Sequence, residues 1–460
     1  MLTSLSGDWT ILSEKEMNYT KTTRLPLDLF NKLEERKLII TQNNHQKIYE
    51  AYHEWHQYKY NRSTPLHIIN ITDNCNLQCT YCSASVGNDN KKFEEKNMTI
   101  DTAKKIVDFI FDAANIEQDN DKIHIEFQGG EILLNFQILK SIVEYAKEKN
   151  NRQYKLIFGT TSNLIALKQK HCDFLKKNKI SIATSIDGPK FIHDQQRVFP
   201  DQSGSLGKLA DSLELLEKNN IKFGLLAVIT SLSKEYYRQI IDMFESFGIY
   251  DLALNYIRPF GNAKLKWDNL GLTINERLDN YKKLLDYLVL KWEKGNFIVE
   301  RLFRLTLDKI TNSRDVGFTD YRNPCGMIKG QIGYDIKGNI YTCYPGRKFE
   351  KYKVGNVFRN NYKEITKSEN ATRLISESIP SYPECQKCAY QSYCGICPVW
   401  NYVDGIDHTT SKNDPSCQIS QFLLDYTFSL IMKKEYLIKA YMLNKNQEKF
   451  KLGSERSTSC

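Results

Sequence analysis

The sequence lacks a long hydrophobic run and a strong charge of either sign. No stretch of about 18 apolar residues occurs, as a membrane-spanning helix would need, and Met1–Ser4 does not begin a signal peptide. The net charge of +9 comes from 64 basic and 55 acidic residues spread along the chain, which does not indicate nucleic-acid binding. We therefore expect a soluble, cytoplasmic protein that binds neither nucleic acid nor membrane.

Nothing in the cysteine distribution suggests a disulfide framework. The chain has 12 cysteines in 460 residues, and in a reducing compartment clustered cysteines favour metal ligation. Three of them lie within residues 75–82 and seven lie between Cys325 and Cys417. Of the other two, Cys172 falls in a helical stretch and is expected to be a small buried residue. We assign no role to Cys460.

The first cysteine group directly follows an apolar run at residues 67–71, so it is expected on a loop that leaves a strand. Cys75, Cys79 and Cys82 could bring three thiolates to one centre, and a 4Fe–4S cluster held by three cysteines keeps one iron open for an outside ligand. The alternative is a zinc site, but structural zinc takes four ligands. No fourth Cys or His occurs nearby before His124.

Runs rich in Val and Ile alternate with helix-length segments from residue 65 to about 296. This pattern predicts parallel strands joined by crossover helices. The predicted strands are 67–72, 122–127, 154–160, 180–186, 222–230 and 251–257. The predicted helices are 99–115, 134–149, 165–178, 206–219, 233–247 and 273–294. The periodicity alone allows a doubly wound sheet as well as a partial (β/α)6 barrel.

The spacing of Cys75, Cys79 and Cys82, with the aromatic Tyr81 before the third cysteine, resembles the radical S-adenosylmethionine (SAM) enzymes. This resemblance implies an α/β fold with a partial (β/α)6 barrel, whose active site lies at the carboxyl ends of the strands. It further implies that the three cysteines hold a 4Fe–4S cluster whose open iron binds SAM. Tyr81 would then pack on the adenine or shield the cluster.

The resemblance extends to residues that would bind SAM at the ends of the predicted strands. Gly129, Gly130 and Glu131 match the stretch that holds the methionyl ammonium, and paired glycines let a ligand approach the backbone closely. In the peptide-modifying branch, Ser185 would bond the ribose and Arg197 the methionyl carboxylate. Ile257 would touch adenine, with core packing as the alternative. Relatives often contact the ribose from a Thr-Asn-Gly that corresponds to residues 160–164, where this chain has Leu164 in place of the glycine.

The seven later cysteines resemble the SPASM extension of radical SAM peptide maturases, which binds two auxiliary 4Fe–4S clusters. Carried over, the inner cluster would be held by Cys325, Cys343 and Cys397, and the outer cluster by Cys385, Cys388, Cys394 and Cys417. A further inner ligand found in some relatives is missing, since residues 326–341 contain no cysteine. The inner cluster would then have an open iron for a substrate thiolate, or a ligand from elsewhere such as Cys172. Zinc is the alternative metal.

Glycines at 333, 338 and 355 predict a hairpin between and after Cys325 and Cys343. The position directly after Cys343, where the sulfatase-maturing branch has a catalytic Asp, is Tyr344. The basic side chains between residues 297 and 324 are expected to be solvated charges, with a contact to carboxylates of a substrate peptide as the alternative; they are Arg301, Arg304, Lys309 and Arg314. We predict five segments: an N-terminal cap or peptide-docking segment (1–64), the barrel (65–296), a bridge (297–324), the SPASM domain (325–420) and a C-terminal helix with a tail (421–460).

Together these features favour a radical SAM enzyme that modifies a ribosomally made precursor peptide and forms a thioether or carbon–carbon crosslink. The stretch from Arg258 to Asn262 and the overall pattern resemble maturases of short repetitive peptides, including the His-Xaa-Ser type. The expected cofactors are SAM and three 4Fe–4S clusters, and the expected electron donor is a flavodoxin or ferredoxin. Formylglycine formation, peptide oxidation or epimerisation, and a non-enzymatic zinc or electron-transfer module remain open. No catalytic residue is assigned.

Overall fold

A computed structural model describes residues 1–4, 6–22, 24–60, 65–83, 96–116, 121–152, 154–312, 321–323, 325–378, 383–395, 397–406 and 414–445. Its strands are β1 (Leu2–Thr3), β2 (Trp9–Thr10), β3 (Leu66–Thr72), β4 (Lys122–Gly129), β5 (Lys155–Thr161), β6 (Ser181–Ser185), β7 (Phe223–Ile229), β8 (Asp251–Tyr256), β9 (Val299–Glu300), β10 (Gln331–Tyr334), β11 (Asn339–Tyr341) and β12 (Lys353–Asn356).

The helices in the first half of the chain are α1 (Glu14–Tyr19), α2 (Leu27–Glu35), α3 (His45–Tyr60), α4 (Ile100–Ile116), α5 (Phe136–Lys149), α6 (Gln169–Asn178), α7 (Lys190–Gln196) and α8 (Leu206–Lys218). Those in the second half are α9 (Tyr237–Ser246), α10 (Asn262–Leu265), α11 (Trp267–Leu270), α12 (Ile274–Glu293), α13 (Arg301–Asn312), α14 (Tyr362–Lys367), α15 (Glu369–Ser376), α16 (Pro383–Gln386), α17 (Pro398–Val403), α18 (Pro415–Lys433) and α19 (Glu435–Lys445).

The contacts divide the chain into two compact units. The barrel unit comprises Ser63–Arg301, Gly330–Thr372 and Ser429–Cys460, and the cysteine-rich unit comprises Met1–Arg62, Leu302–Lys329 and Arg373–Phe428. The N-terminal residues therefore group with the later cysteines. The five segments expected from the sequence stay a prediction.

The barrel unit contains all six predicted strands as neighbours in one sheet. β3 to β8 follow each other in chain order and pair in parallel, as a partial (β/α)6 barrel requires. Every residue of β3 is buried, which explains its continuous apolar run, since a parallel strand is covered on both faces. The six predicted helices are found as α4, α5, α6, α8, α9 and α12. Most of their ends lie within three residues of the prediction.

The predicted hairpin after Cys325 is confirmed. β10 pairs antiparallel with β11, and β11 with β12. β10 also pairs in parallel with β3, with Gln331 opposite Leu66 and Tyr334 opposite Ile69. The hairpin thus extends the barrel sheet next to the strand that leads into the first cysteine loop, a placement that the glycine pattern did not indicate.

The crossover helices are amphipathic and pack their apolar stripe on the sheet. In α4, Ile106, Val107 and Ile110 are fully buried, at the spacing that places them on one helical face. The longest crossover helix, α12, begins at a capping box in which Thr273 and Glu276 bond each other's backbone amides. Near its end, Trp292 stacks on Tyr441 of α19 at 4.7 Å, so the C-terminal helix packs on the barrel unit. No helix among the described residues is long and apolar enough to cross a membrane.

The cysteine-rich unit begins with a short hairpin whose strands, β1 and β2, have two residues each and pair Leu2 with Thr10. Leu12, Leu29 and Leu33 then form a small core, against which Leu38 and Ile39 pack. The charged face of α2 stays outside, as its strong amphipathicity requires.

Candidate active site

The loop that carries Cys75, Cys79 and Cys82 leaves the carboxyl end of β3 and is held by backbone hydrogen bonds from distant segments. The amides of Gln78 and Thr80 donate to the carbonyls of Val198 and Gln196, both at 2.8 Å. From the other side, the Asn262 amide donates to the Cys82 carbonyl at 2.9 Å. The loop is therefore fixed by the ends of α7 and by the residues after β8.

Asn262 adds a second clamp on the same loop, because its side-chain amide donates to the Cys79 carbonyl at 3.2 Å. Gly261 precedes it with a φ of +59°, and a Cβ there would lie 2.4 Å from the Cys82 carbonyl oxygen. Only glycine suits both the close approach and the left-handed backbone. This explains the Gly-Asn pair in the sequence.

The three thiols are close enough to influence one another. Burial, and then the nearby charges of Glu131, Cys79 and Cys82, raise the pKa of Cys75. Burial likewise raises the pKa of Cys79 to about 11, with Cys82 adding to the shift. Among the described residues, no group of His, Cys, Asp or Glu side chains converges closely enough to hold a single metal ion. A 4Fe–4S cluster binds each thiolate through a different iron and so needs wider spacing. The three-cysteine donor set fits such a cluster.

The Gly-Gly-Glu stretch at the end of β4 packs directly on the start of the cysteine loop. A Cβ on Gly130 would lie 2.2 Å from the carbonyl oxygen of Asn74, and one on Gly129 would lie 2.4 Å from that of Thr72. The Glu131 amide donates to the Asn74 carbonyl at 2.7 Å. Both glycines are therefore required for the backbone of β4 to reach the loop.

Glu131 is only 1% exposed and its carboxylate is oriented by three donors. Oε1 accepts bonds from the Ser162 hydroxyl at 2.7 Å and the Leu133 amide at 3.0 Å, and Oε2 accepts one from the Asn163 amide at 2.7 Å. Burial raises its pKa, although these hydrogen bonds oppose the shift. A buried carboxylate held in this way suits a cationic ligand such as an ammonium group.

A hydrogen-bonded chain joins Tyr81 of the cysteine loop to residues after β6. Arg197 donates to the Tyr81 hydroxyl at 2.7 Å, and that hydroxyl donates to Asp187 Oδ2 at 2.5 Å. Asp187 Oδ1 accepts the Val228 amide at 3.0 Å, and the residue is fully buried. Burial raises the Asp187 pKa, while the Arg197 charge opposes that shift. The arginine and the tyrosine are thus held in place by a buried acid.

The two remaining residues expected at SAM are also at strand ends. Ser185 ends β6 opposite Leu226 of β7 and is 5% exposed. Ile257 follows β8, is 6% exposed, and donates its amide to the Ile229 carbonyl at 2.9 Å. Their contacts with SAM stay a prediction. Asp187 and Asn262 were not assigned a role from the sequence, and Asn163 was considered only as part of the stretch compared with the ribose contact of relatives. Asn163 and Asp187 each lie two residues after the end of a strand, and Asn262 lies six residues after the end of β8.

Tyr344 lies in the barrel unit beside the cysteine loop. Its hydroxyl accepts a bond from Arg347 at 3.1 Å, and the guanidinium also lies 4.6 Å from the centre of its ring. Arg347 is 3.6 Å from Asp73, which accepts a bond from Asn70 at 2.8 Å. Burial raises the pKa of Tyr344, and the nearby Asp73 and Cys82 raise it further. The phenol therefore stays protonated at neutral pH.

In the cysteine-rich unit, four thiols share one neighbourhood. Burial raises the pKa of Cys394 to about 11, and Cys385 and Cys388 contribute to the shift. Burial also raises the pKa of Cys417 to about 11, with contributions from Cys394 and Cys388. Four cysteines are the number of ligands that one 4Fe–4S cluster takes, and the binding of the outer cluster by these four stays a prediction.

The five-residue connector between Cys388 and Cys394 is fixed from outside at every residue. Thr3 donates to the Ala389 carbonyl at 2.9 Å, Asn323 to that of Gln391 at 2.9 Å, and the Tyr393 hydroxyl to that of Gly7 at 2.8 Å. The Ser392 hydroxyl donates to the Ser4 carbonyl, and the Tyr390 hydroxyl to Asp425. The N-terminal hairpin thus forms one wall of this cysteine site.

Lys309 is not the solvated charge that the sequence suggested. Its ammonium group donates to the carbonyls of Tyr321 and Tyr393, the latter at 2.9 Å. Its charge lowers the pKa of Cys394, against the larger effect of burial. Lys309 is held there because α13 places it beside two backbone carbonyls that need a donor.

The three cysteines expected at the inner cluster belong to different units. Cys325 and Cys397 are in the cysteine-rich unit and Cys343 is in the barrel unit, so their shared cluster stays a prediction. The Cys325 amide donates to Ser378 at 2.9 Å. A Cβ on Gly333 would lie 2.7 Å from the Cys343 carbonyl oxygen. Cys172 is fully buried in α6, as expected.

Comparison with known proteins identifies two family models in this chain. The model of the radical SAM superfamily matches residues 69–246, and the SPASM model, an iron–sulfur cluster-binding domain, matches residues 325–389. The first match includes Cys75, Cys79 and Cys82. The second includes Cys325, Cys343, Cys385 and Cys388.

Several enzymes are similar over most of the chain. The cysteine-type anaerobic sulfatase-maturating enzyme of Clostridium perfringens is 25% identical over 325 residues, or 70% of this chain and 84% of that enzyme. The radical SAM cyclopropyl synthase TigE of Paramaledivibacter caminithermalis is 24% identical over 412 residues, covering 83% of this chain and 82% of TigE.

Solved structures share the fold. The structure described as native anSMEcpe with bound AdoMet has a TM-score of 0.67 at 21% identity and covers 82% of this chain and 100% of that one. The structure of Streptococcus suis SuiB bound to precursor peptide SuiA has a TM-score of 0.55 at 16% identity and covers 87% of this chain and 88% of that one.

Proposed function

Since this chain is a radical SAM enzyme with a SPASM domain, we propose that it modifies a ribosomally made peptide by forming a thioether or carbon–carbon crosslink. SAM and a reduced 4Fe–4S cluster held by Cys75, Cys79 and Cys82 would supply a 5′-deoxyadenosyl radical able to abstract hydrogen from a substrate carbon. The proposal includes three 4Fe–4S clusters, with the two auxiliary clusters accepting the remaining electron or binding the substrate. It also includes a flavodoxin or ferredoxin as electron donor and a cytoplasmic location.

The chain's own residues would bind and orient SAM in this proposal. Glu131 would take the ammonium group, Arg197 the carboxylate, and Ser185 the ribose. The buried Asp187 would keep Arg197 and Tyr81 in position, so that little reorganisation is needed when SAM binds. The glycines at 129 and 130 would let SAM lie against the backbone.

The observation that carries the choice of reaction is the environment of Tyr344. Formylglycine formation is the second candidate, supported by the similarity to sulfatase-maturating enzymes. The sulfatase-maturing branch uses an Asp at the position of Tyr344 as a base. Here that position holds a phenol whose pKa is raised by burial and whose oxygen accepts a bond from Arg347. Such a phenol cannot take up a proton at neutral pH, so a crosslink that needs no base at this position is favoured.

The test is a product analysis with the anaerobically reconstituted protein, SAM and dithionite. The substrates are a short precursor peptide encoded beside the gene and, in parallel, a Cys-containing sulfatase motif peptide. A crosslink removes two hydrogen atoms and suppresses backbone fragments between the joined residues in tandem mass spectrometry. Conversion of Cys to formylglycine replaces the sulfur by an aldehyde oxygen, which hydrazine reagents trap.

Loss of two hydrogens with suppressed fragmentation supports the proposal. An aldehyde on the sulfatase peptide alone overturns it in favour of formylglycine formation. Deuterium uptake without a change in the bonds would indicate epimerisation. Absence of SAM cleavage would leave only a zinc or electron-transfer module.

A further inference from the structure

Asn163 touches both the cysteine loop and the Gly-Gly-Glu stretch. Its side-chain Nδ2 donates to Cys75 Sγ at 3.6 Å and to Asn76 Oδ1 at 2.8 Å. Its backbone amide donates to Glu131 Oε2 at 2.7 Å. One residue therefore connects a cluster ligand to the carboxylate expected at the SAM ammonium group.

The orientation of the Asn163 amide is set by its neighbours. Its Oδ1 accepts the Ile165 amide at 3.0 Å, so the NH₂ end of the same group must point toward Cys75. The next residue, Leu164, has a φ of +65°, and its amide donates to the Ser162 hydroxyl at 2.9 Å. A leucine in this region costs free energy, which the fully buried side chain and the Ser162 contact offset.

Cys75 also differs from its two partners in the hydrogen bonds to its sulfur. The Leu77 amide donates to Cys75 Sγ at 3.4 Å, in addition to Asn163. Cys79 interacts with its own backbone amide, whereas Cys75 has the side-chain donor Asn163. Donors to cluster sulfurs favour the reduced, more negative state and so raise the reduction potential.

We propose that Asn163 is a positioning residue that raises the reduction potential of the SAM-binding cluster through Cys75 and couples that potential to SAM binding at Glu131. SAM binding and the cluster potential are coupled through Asn163, because an ammonium group at Glu131 would bind the same carboxylate that accepts the Asn163 backbone amide. This inference rests on the SAM and cluster sites of the proposed function, and it does not depend on which peptide product is formed.

The family resemblance implies a different role for residues 160–164, a contact with the SAM ribose. The two roles predict different measurements. A ribose contact would weaken SAM binding when removed and leave the SAM-free cluster unchanged. A donor to Cys75 changes the potential of the cluster before SAM is added.

The experiment is an anaerobic redox titration of the full-length, reconstituted protein, followed by electron paramagnetic resonance with and without SAM. The SAM-binding cluster is the one whose signal changes when SAM is added, which separates it from the auxiliary clusters. The variants are Asn163→Leu, which has a similar shape and no donor, and Asn163→Ser, which retains a hydroxyl donor. Asn219→Leu, at the half-buried C-terminal cap of α8, is the matched control.

Asn163→Leu should shift the midpoint of the SAM-sensitive signal to a more negative potential without SAM and reduce the further shift caused by SAM. Asn163→Ser should restore part of the potential, and Asn219→Leu should match the wild type. A wild-type potential in Asn163→Leu overturns the inference, whatever its SAM affinity.

Two further outcomes are distinguishable. If Asn163→Leu fails to take up iron, Asn163→Ala provides the same comparison, since it also removes the donor and adds no charge beside Cys75. A wild-type potential in that variant also overturns the inference. If the wild-type protein shows no SAM-sensitive signal, the cluster assignment in the proposed function fails instead.

Discussion

The two cysteine sites that the structure describes are built in opposite ways. The first places three thiols within eight residues of one loop, and fixes that loop through backbone contacts with Gln196, Val198 and Asn262. The second draws four thiols from residues 385–417, and its connector is fixed by side chains and by the N-terminal hairpin. Three ligands leave a position open for chemistry, whereas four close the site. Under the proposed function, the number of ligands and the source of the supporting contacts distinguish the reaction site from the auxiliary site.

The largest expected effect comes from removing the first site. Replacing Cys75, Cys79 and Cys82 together with Ala should abolish SAM cleavage and lower the iron content from about twelve to about eight per chain, the change that one lost 4Fe–4S cluster requires. The measurement is 5′-deoxyadenosine released with dithionite, together with iron and sulfide content. Full SAM cleavage by this variant would contradict the assignment of the two sites.

Removing the second site should leave the first working. Replacing Cys388 and Cys394 with Ala should remove about four irons while SAM cleavage without peptide continues within a factor of about three. Formation of the modified peptide should fall by about tenfold or more, because in the proposed function the auxiliary clusters accept the remaining electron or bind the substrate. Loss of SAM cleavage here would show that the two sites are not separable.

Acid should weaken the wall of the first site through His193, which is fully buried beside Ser205. Burial, and then the nearby Arg197 charge, lower the His193 pKa to about 3. Below about pH 6.5 the unfolded chain takes up a proton that the folded chain refuses, so the free energy of unfolding should fall by about 2 kcal/mol between pH 6.5 and 5. Denaturant titrations of wild type and His193→Gln check this; the variant should lose less. If the free energy of unfolding falls equally with pH in both proteins, His193 is not the cause.

The smallest effect concerns the N-terminal wall of the second site. Tyr393→Phe removes the bond from the tyrosine hydroxyl to the Gly7 carbonyl and should lower the free energy of unfolding by about 1 kcal/mol. The iron of one cluster should also be released to a chelator faster in this variant than in the wild type. Tyr402→Phe, at a residue 46% exposed, is the control. Identical rates of iron release in all three proteins would show that the N-terminal hairpin does not stabilise the second site.

Much of the barrel could be predicted from the sequence because the buried parallel strands are continuous apolar runs and the crossover helices carry regular stripes. All six predicted strands appear, with ends shifted by at most two residues. The helix predicted from residue 165 starts at 169 because residues 163–167 form a turn. That turn includes Leu164 in a conformation that leucine rarely adopts, and propensity gives no signal for it.

The cysteine positions were also visible from spacing, whereas their supporting contacts were not. Asp187 acts through Tyr81, 106 residues away along the chain, Asn163 through Cys75, 88 residues away, and Lys309 through Tyr393, 84 residues away. Tertiary contacts of this kind leave no local pattern. The same holds for the N-terminal hairpin, whose partners lie nearly 390 residues later. Sequence spacing identifies metal ligands, and the fold decides what holds them.

The pairing of β10 with β3 has a consequence for synthesis of the chain on the ribosome. One edge of β3 can be closed only after Tyr334 has been made, roughly 13–50 s after Thr72 at ordinary elongation rates. During that interval a largely apolar strand presents an unpaired edge, which is a template for aggregation. The nascent chain should therefore depend on holdase chaperones until the hairpin emerges. Truncation between residues 301 and 331 should yield insoluble protein, even though all six barrel strands are present.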